Sequence, residues 1–310
     1  GVGPRIATLT PVASWLPQTG VDLSGTTVTV SGSSKTVTGI DFTGYRLINT
    51  GNNNIFEDCI GDFNTTGQTG NKRQWDIRGA NPTVRYCKIT NPTPIGGVYG
   101  LATFDATGTI TLDHNDVRDA AAQDVIAGPD VGGGSNVLIV TETLIKGIHL
   151  TVGAHVDTID GRGGAPGSTI SRNFIIGDKT PTSAPAGSGT GFTNAFHDLP
   201  TDPHGSPCNG WIIIENIIVG SDDPGAQSIF VQVGNSASTG IRMYDIIYDL
   251  REHNSLLHPS VRVDDWYARS FDYAASLTAG ALTGLSGPVP FPNLTNQPAA
   301  VPSTMSAPVI

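Results

Sequence analysis

Val84-Arg85-Tyr86-Cys87-Lys88-Ile89 is followed 28 residues later by Leu112-Asp113-His114-Asn115-Asp116-Val117. Both stretches consist of an apolar residue, two variable residues, a small polar residue or cysteine, one variable residue and a second apolar residue. The pattern recurs in Ile139-x-x-Glu142-x-Leu144, Ile170-x-x-Asn173-x-Ile175, Ile213-x-x-Asn216-x-Ile218 and Val261-x-x-Asp264-x-Trp266, with weaker copies centred on Cys59 and Asp245. The central residues are therefore 59, 87, 115, 142, 173, 216, 245 and 264, separated by 28, 28, 27, 31, 43, 29 and 19 residues.

This repeat predicts a solenoid. A unit of about 28 residues is too short to bury its own apolar face, so neighbouring units must stack on one another to bury it. The apolar stretches alternate with a period of two and show no helical periodicity, which indicates short strands. We expect an all-β right-handed parallel β-helix of about eight coils, which at ~4.8 Å per coil makes a rod of roughly 40 Å.

The composition agrees with a chain of strands and turns. Of the 27 acidic residues only 4 are Glu, so 23 are Asp, and the chain also holds 39 Gly and 21 Pro. Helix surfaces are normally built from Glu, Lys, Gln and Arg, whereas Asp, Gly and Pro favour turns. A largely helical fold is therefore excluded.

The charge and hydropathy exclude two further classes. The net charge is −10 and the pI is near 4.9, which argues against binding to nucleic acid because that binding depends on Lys and Arg. The longest apolar runs are strand-sized, well short of the roughly 18 residues that a membrane helix needs, so we expect no membrane insertion. The odd count of three Cys does not form a disulfide framework. Cys59 and Cys87, one coil apart, would be stacked neighbours and are expected to be free and buried, with a disulfide between them as the less favoured alternative.

Residues from about Val37 to Phe271 resemble the right-handed parallel β-helices of the pectate-lyase-like superfamily, which includes phage tailspikes. The resemblance implies that the small polar centre of each unit lies at a bend and that Asn115, Asn173 and Asn216 form an internal ladder. It also implies a polysaccharide-degrading activity, an extracellular location (secreted or virion-associated) and, by analogy with tailspikes, a homotrimer as one form of assembly.

The chain divides into three parts on this reading. Residues 1–36 are predicted to be an N-terminal cap, residues 37–275 the β-helix, and residues 276–310 a Pro-rich extended tail. The long step between Asn173 and Asn216 places about 15 extra residues in a loop over Asp178–Gly210. Long loops on a rigid scaffold are often functional, although a plain surface excursion is equally compatible with the sequence.

The second strand-like segment of each unit carries the candidate catalytic residues. We expect Asp157, Asp160, His155 and Asp124 to project outward on one flank. Carboxylates one or two coils apart would be separated by about 5 or 10 Å at the backbone. Glycosidases use carboxylate pairs about 5–5.5 Å apart for retention or about 6.5–9.5 Å apart for inversion. The segment from His155 to Asp160 also resembles the His-x-Asp-Gly-Ile-Gln strand of secreted and phage β-helix proteins, with Thr158 in place of Gly and Asp160 in place of Gln.

A second set of residues is predicted to bind substrate: Arg162, His197, Asp198, Arg78 and Trp75. The carboxylate pair favours a glycoside hydrolase. A polysaccharide lyase is the next alternative, with His155 or Lys146 as the base and Arg162 neutralising a uronate. No cofactor is required by any motif, and Ca²⁺ could bind to clustered Asp residues although no spacing demands it.

An alternative from another class stays open. The chain could be a non-catalytic domain that binds glycan or forms part of a structural fibre, with exposed aromatic residues such as Trp75 and Trp211 stacking on sugars. Trp266, at an inward position of the repeat, is expected in the core.

Overall fold

The computed structural model shows an all-β chain whose parallel strands stack into a β-solenoid, which confirms the fold predicted from the repeat. It describes residues 1–62, 72–90, 98–121, 124–129, 135–148, 157–161, 164–177, 194–198, 209–219, 227–233, 240–249 and 265–285.

Within these ranges the chain forms 28 short strands and two short helices. In chain order they are β1 (Thr10–Pro11), α1 (Val12–Trp15), β2 (Val21–Ser24), β3 (Thr27–Val30), β4 (Thr36–Thr38), β5 (Ile40–Asp41), β6 (Arg46–Asn49), β7 (Ile55–Glu57), β8 (Ile60–Asp62), β9 (Lys72–Ile77), β10 (Gly79–Ala80), β11 (Thr83–Arg85), β12 (Lys88–Thr90), β13 (Val98–Ala102), β14 (Ala106–Thr107), β15 (Thr109–Asp113), β16 (Asp116–Ala121), β17 (Ile126–Ala127), β18 (Val137–Thr141), β19 (Leu144–Ile148), β20 (Asp157–Asp160), β21 (Thr169–Ser171), β22 (Phe174–Gly177), β23 (Asn194–Asp198), β24 (Ile212–Ile214), β25 (Ile217–Val219), β26 (Gln227–Val233), β27 (Arg242–Asp249), β28 (Asp265–Phe271) and α2 (Tyr273–Ala279).

Each middle coil contributes two strands, one on either side of a corner, to a sheet system of 17 strands. Before the corner, β7, β11, β15, β18, β21, β24 and β27 pair in parallel, each with the next. One residue per strand keeps the same register position and is buried in the core, namely Phe56, Val84, Leu112, Val140, Ile170, Ile213 and Met243. This parallel pairing begins one strand earlier, at β4, which pairs with β7. The number of coils differs slightly from the predicted eight.

The corner of each coil is built from two consecutive residues with different tasks. The first has a positive φ and makes the turn, as at Asp58, Tyr86, His114, Glu142, Arg172 and Glu215. The second points inward, and together these inward residues form what we call the polar ladder: Cys59, Cys87, Asn115, Thr143, Asn173 and Asn216. The polar ladder satisfies backbone groups that the sheet leaves unpaired at the bend.

Hydrogen bonds join neighbouring members of the polar ladder. The Oδ1 of Asn115 accepts from the backbone N of Cys87 at 2.9 Å, and that of Asn216 accepts from the backbone N of Asn173 at 3.0 Å. Cys59 and Cys87 are free and buried one coil apart. The asparagine ladder that the resemblance implied is therefore present, and the prediction of free stacked thiols is confirmed.

Three copies of the repeat were assigned to the wrong residues. In the copy centred on Asp245, Ile246 lies opposite Asn216 instead, because Met243 pairs with Ile213 and Ile247 with Ile217. Thr143 rather than Glu142 occupies the polar ladder, because Val140, not Ile139, pairs with Leu112. Trp266 pairs with Met243, so it takes the first apolar position of its coil rather than the last. With Thr143 as the central residue, the steps from Cys87 through Asn115 to Thr143 are both 28 residues.

The second wall of the solenoid is a sheet of nine strands, β2, β3, β6, β9, β13, β17, β20, β23 and β26. Only β2 runs antiparallel in this sheet, as the first arm of a hairpin with β3. Its inward residues, Leu47, Trp75, Leu101, Ile126 and Ile159, pack in the same core as Phe56 and its column. The sheet thus faces the core on one side and carries a separate set of residues on the other.

The two ends of the described chain lie against the solenoid. At the N-terminus, Thr10 pairs with Ile40, and the hairpin of β2 and β3 extends the nine-stranded sheet. At the C-terminus, α2 begins after Asp272, whose side chain accepts from the backbone N of Ala275, and Phe271 packs on Ile217 and Val219. The predicted boundary at 275/276 falls inside α2. Residues 286–310 and most of Asp178–Gly210 lie outside the described residues.

Candidate functional site

The predicted site residues that the structure describes fall mostly on the nine-stranded sheet. Asp76 on β9 pairs with Ala102 on β13, Ala102 with Ala127 on β17, Ala127 with Asp160 on β20, and Asp160 with His197 on β23. We call these five positions the outer column. Asp76, Ala102, Ala127 and Asp160 each follow a core residue of their strand, and because successive residues of a strand alternate between faces, these four lie on the face away from the core.

Two of the predicted catalytic carboxylates are buried on or beside this face. Asp160 belongs to the outer column and is 0% exposed, so it is covered rather than open to a shallow groove. Asp124 lies just before β17, is 5% exposed, and its backbone O accepts from the backbone N of Gly100 at 3.3 Å. The two carboxyl groups are therefore buried on neighbouring coils but three residues out of register with each other, because Asp160 pairs with Ala127.

The other predicted residues divide into three groups. Asp157 begins β20 and pairs with Asn194, and His197 and Asp198 end β23, so the register places all three on neighbouring strands. Lys146, the alternative base, lies on β19 in the other sheet system and is not brought to the outer column. His155 and Arg162 lie outside the described residues.

The prediction that Trp75 stacks on a sugar is wrong. Its side chain is 0% exposed and contacts Phe42 and Phe56 in the core, with ring centroids 5.8 and 6.2 Å away. Trp211 is also buried, at 5% exposure. Trp75 lies on the same face of β9 as Ile77, because the two are at positions i and i+2 of the strand. That face points into the core of the solenoid.

Arg78 belongs to a group of charged side chains at one end of the outer column. Asp76, 0% exposed, accepts from three guanidinium groups: Nη2 of Arg78 at 2.6 Å, Nη2 of Arg46 at 2.9 Å and Nη1 of Arg73 at 3.3 Å. Asp105, which is 45% exposed, lies 3.0 Å from Nη1 of Arg73 and 3.6 Å from Nε of Arg78. We call these five residues the arginine–carboxylate cluster.

The arginine–carboxylate cluster contains three cations and two anions. Burial lowers the pKa of Arg46, with further contributions from Arg78 and Arg73, whereas the hydrogen bond to Asp76 raises the pKa of Arg78. Both guanidinium groups stay charged at physiological pH because the pKa of an arginine side chain lies far above that range. The Arg73 guanidinium also lies over the ring of Phe104, 4.6 Å from its centroid. The cluster thus holds a surplus positive charge on a strongly acidic protein.

Sequence reasoning missed Arg46, Arg73 and Asp105. The spacing Arg73-x-x-Asp76-x-Arg78 within one strand was a signal for an ion-pair cluster, but the partners from β6 and from the turn after β13 depend on the register between strands. That register becomes visible only when Leu47, Trp75 and Leu101 are aligned. The sequence of any one strand therefore does not predict that these side chains meet.

No metal centre is found within the described ranges, where no three His, Cys, Asp or Glu side chains lie close enough to hold an ion. Binding of Ca²⁺ stays a prediction. Neither helix in the described part of the chain is long and apolar enough to cross a membrane.

Comparisons with protein-family models, with curated proteins and with solved structures give no match. The β-solenoid fold therefore rests on the strand pairing of this chain itself. Membership of the pectate-lyase-like superfamily stays a resemblance.

Proposed function

We propose that this protein degrades an extracellular or bacterial-surface polysaccharide, with its catalytic carboxyl groups on the nine-stranded sheet around Asp160. The observation that carries the proposal is the position of Asp160. Its carboxyl group is buried on the face away from the core, in register with His197 on the next strand and with Ala127 on the strand before. A carboxyl group withdrawn from water next to other titratable residues is the usual setting of an acid or base catalyst.

Hydrolysis suits this arrangement better than elimination. A glycosidase needs two carboxyl groups on opposite sides of the bond to be cleaved, one of them protonated. Neighbouring parallel strands are ~4.8 Å apart, and the register that pairs Ile126 with Ile159 brings Asp157 opposite Asp124, a backbone spacing close to the carboxylate separation that retaining enzymes use. Burial and nearby like charges favour the protonated form of one member of such a pair.

A lyase has less support because its base would be His155, outside the described residues, or Lys146, which lies on the other sheet system. An extracellular location and a homotrimer accompany the proposal as predictions.

Glycan binding or a fibre role without cleavage is the second candidate. It is favoured by the arginine–carboxylate cluster, in which Asp76, another buried member of the outer column, is held by three arginines. A buried ionic cluster of this kind is compatible with a structural role.

The test is incubation of the protein with a panel of bacterial and plant polysaccharides. New reducing ends without an unsaturated uronate chromophore support hydrolysis, and the chromophore indicates elimination. Cleavage that persists unchanged in an Asp157→Ala/Asp160→Ala double variant would overturn the assignment of the site. Binding without cleavage across a broad panel would favour the second candidate.

A further inference from the structure

Of the two carboxylates in the arginine–carboxylate cluster, one is exposed and only weakly held. Asp76 is buried and fixed by hydrogen bonds, but Asp105 is 45% exposed and reaches the cluster from the turn after β13. Its Oδ2 is 3.0 Å from Arg73 and 3.6 Å from Nε of Arg78, which is longer than a hydrogen bond. Exposed ion pairs of this kind contribute little to stability and exchange readily with solvent or other ions.

Arg78 is the arginine that an external ligand can reach. Its side chain is 37% exposed, and the one hydrogen bond that it donates within the described residues runs from Nη2 to Asp76. The Nε faces the carboxylate of Asp105 without forming a hydrogen bond to it. A planar guanidinium presents a fork of donors that matches a carboxylate or a sulfate.

We propose that the arginine–carboxylate cluster is a subsite for an acidic group of the glycan, and that Asp105 occupies this subsite until the ligand displaces it. The incoming carboxylate or sulfate ester takes the place of the Asp105 carboxylate opposite Arg78, and Asp105 turns to solvent. This inference rests on the proposed function, because it assumes that the glycan binds on the face of the nine-stranded sheet that carries Asp160.

The spacing along the sheet fits an extended oligosaccharide. Asp76 and Asp160 are separated by three strand steps, through Ala102 and Ala127, which corresponds to about 14 Å. The subsite therefore lies away from the predicted point of cleavage and acts in recognition of the substrate.

The net negative charge of the whole protein opposes binding of an acidic glycan. A net charge of −10 repels polyanions at long range, so an acidic glycan binds only if a local positive site overcomes that repulsion. Removal of the Asp105 charge should strengthen binding and removal of the Arg78 charge should weaken it. A surface that binds glycans through neutral contacts alone would respond to neither change.

The experiment measures the dissociation constants of three oligosaccharide probes by isothermal titration calorimetry. The probes are an oligogalacturonate, which carries carboxylates, an oligomer of dextran sulfate, which carries sulfate esters, and a neutral maltohexaose. Asp105→Asn should bind an anionic probe about two- to fivefold more tightly, the value expected for loss of an exposed ion-pair competitor. Arg78→Gln should weaken the same probe by about tenfold or more.

Arg172→Gln serves as the matched control, because Arg172 is an exposed arginine paired with Glu142 at the corner of the other sheet system. It should bind every probe as the wild type does. Unchanged or weaker binding in Asp105→Asn would overturn the proposal, as would equal losses in Arg78→Gln and Arg172→Gln. Thermal unfolding of each variant shows that the chain remains folded, and the Asp105→Asn result stands even if Arg78→Gln is unstable.

The titrations are carried out in an Asp160→Asn background, so that binding is read without cleavage. If the anionic probes follow the predicted order but the wild type cleaves no glycan, the subsite stands and the hydrolase proposal fails. If the wild type cleaves a neutral glycan and neither charge change affects binding, the hydrolase proposal stands and the subsite fails.

Discussion

At the scale of single residues, the polar ladder shows how a narrow solenoid turns a corner without leaving buried polar groups unpaired. Asn173 illustrates this best. Its Nδ2 donates to the backbone O of Val140 at 3.0 Å, its Oδ1 accepts from the backbone N of Thr143 at 3.0 Å, and its own backbone N donates to Asn216. Each side chain therefore joins its own coil to a neighbour, and removal of one leaves buried backbone groups without partners.

We predict that Asn173→Ala lowers the free energy of unfolding by about 1–3 kcal/mol, the cost of leaving buried donors and acceptors unpaired. Asn52→Ala is the matched control. Asn52 is exposed, and its Oδ1 accepts one hydrogen bond, from the backbone N of Ala80, so its loss should cost under about 1 kcal/mol. Urea titration followed by circular dichroism gives both values. Equal losses for the two variants would contradict the ladder's role.

The burial of the two thiols also follows from this corner. Burial raises the pKa of the Cys87 thiol, with a further contribution from the neighbouring Cys59. A buried neutral thiol is unreactive, so the pair behaves as part of the core. Cysteine and asparagine both occur at this position of the polar ladder because both are small and can donate to backbone carbonyl groups of the preceding coil.

At the scale of elements, the N-terminal segment acts as a strap along the corner of the solenoid. Gly3 donates its backbone N–H to the backbone O of His114, Arg5 contacts Asp58 and the ring of Tyr86, and Thr10 pairs with Ile40. These contacts follow one another across successive coils, in the direction opposite to the order of the coils in the chain. Strand pairing links each coil only to the coils next to it, whereas the strap contacts several coils in turn.

The strap predicts a stability contribution that depends on pH. Hydrogen bonds from Arg5 hold the pKa of Asp58 below its ordinary value. A lowered pKa stabilises the fold above the ordinary value of about 4, and this contribution is lost as the pH falls through the lowered pKa. Arg5→Ala should therefore be less stable than the wild type near pH 7, and the difference should shrink as the pH falls below about 4.

Urea unfolding of the wild type and Arg5→Ala at neutral and acidic pH measures this effect. Arg172→Ala controls for the loss of an exposed arginine from the same corner. A difference between wild type and Arg5→Ala that is the same at every pH would contradict the role assigned to Asp58.

The elements also show what the sequence could and could not predict. The repeat predicted the parallel strands, the inward apolar column and the polar corner, because these depend on residues close together in one coil. It assigned the inward position of this corner to Glu142 instead of Thr143, since Val137-Leu138-Ile139-Val140 is apolar throughout and gives no alternation to fix the register. The outer column was found in part, but Arg46, Arg73 and Asp105 meet Asp76 only through pairing between strands.

At the scale of the whole molecule, the coil is the unit that can be added or removed. Thr83 pairs with Thr111 and Val84 with Leu112, so one coil here spans 111 − 83 = 28 residues. Each coil contacts mainly its neighbours, and stability in such a chain is approximately a sum over coils and their interfaces. A deletion of one full coil should therefore leave every later side chain on its native face.

We predict that a variant lacking residues 83–110 folds with a β-type circular dichroism spectrum and a cooperative thermal transition. In this variant Thr111 takes the place of Thr83 beside Ile55. The control variant lacks residues 84–110, one residue fewer, which shifts the register and exchanges inward and outward faces over the following strands. It should be insoluble or unfolded. Folding of both variants, or of neither, would contradict the coil as the structural unit.

The most direct test of the account is the rate at which Asp160→Asn releases reducing ends from a polysaccharide that the wild type cleaves. Asp116→Asn is the matched control, because Asp116 is a buried outward carboxylate paired with Arg118 on the other sheet system. We predict that Asp160→Asn loses activity by about 100-fold or more, as expected for removal of an acid or base catalyst, while Asp116→Asn keeps it. Wild-type activity in Asp160→Asn, or an equal loss in Asp116→Asn, would contradict it.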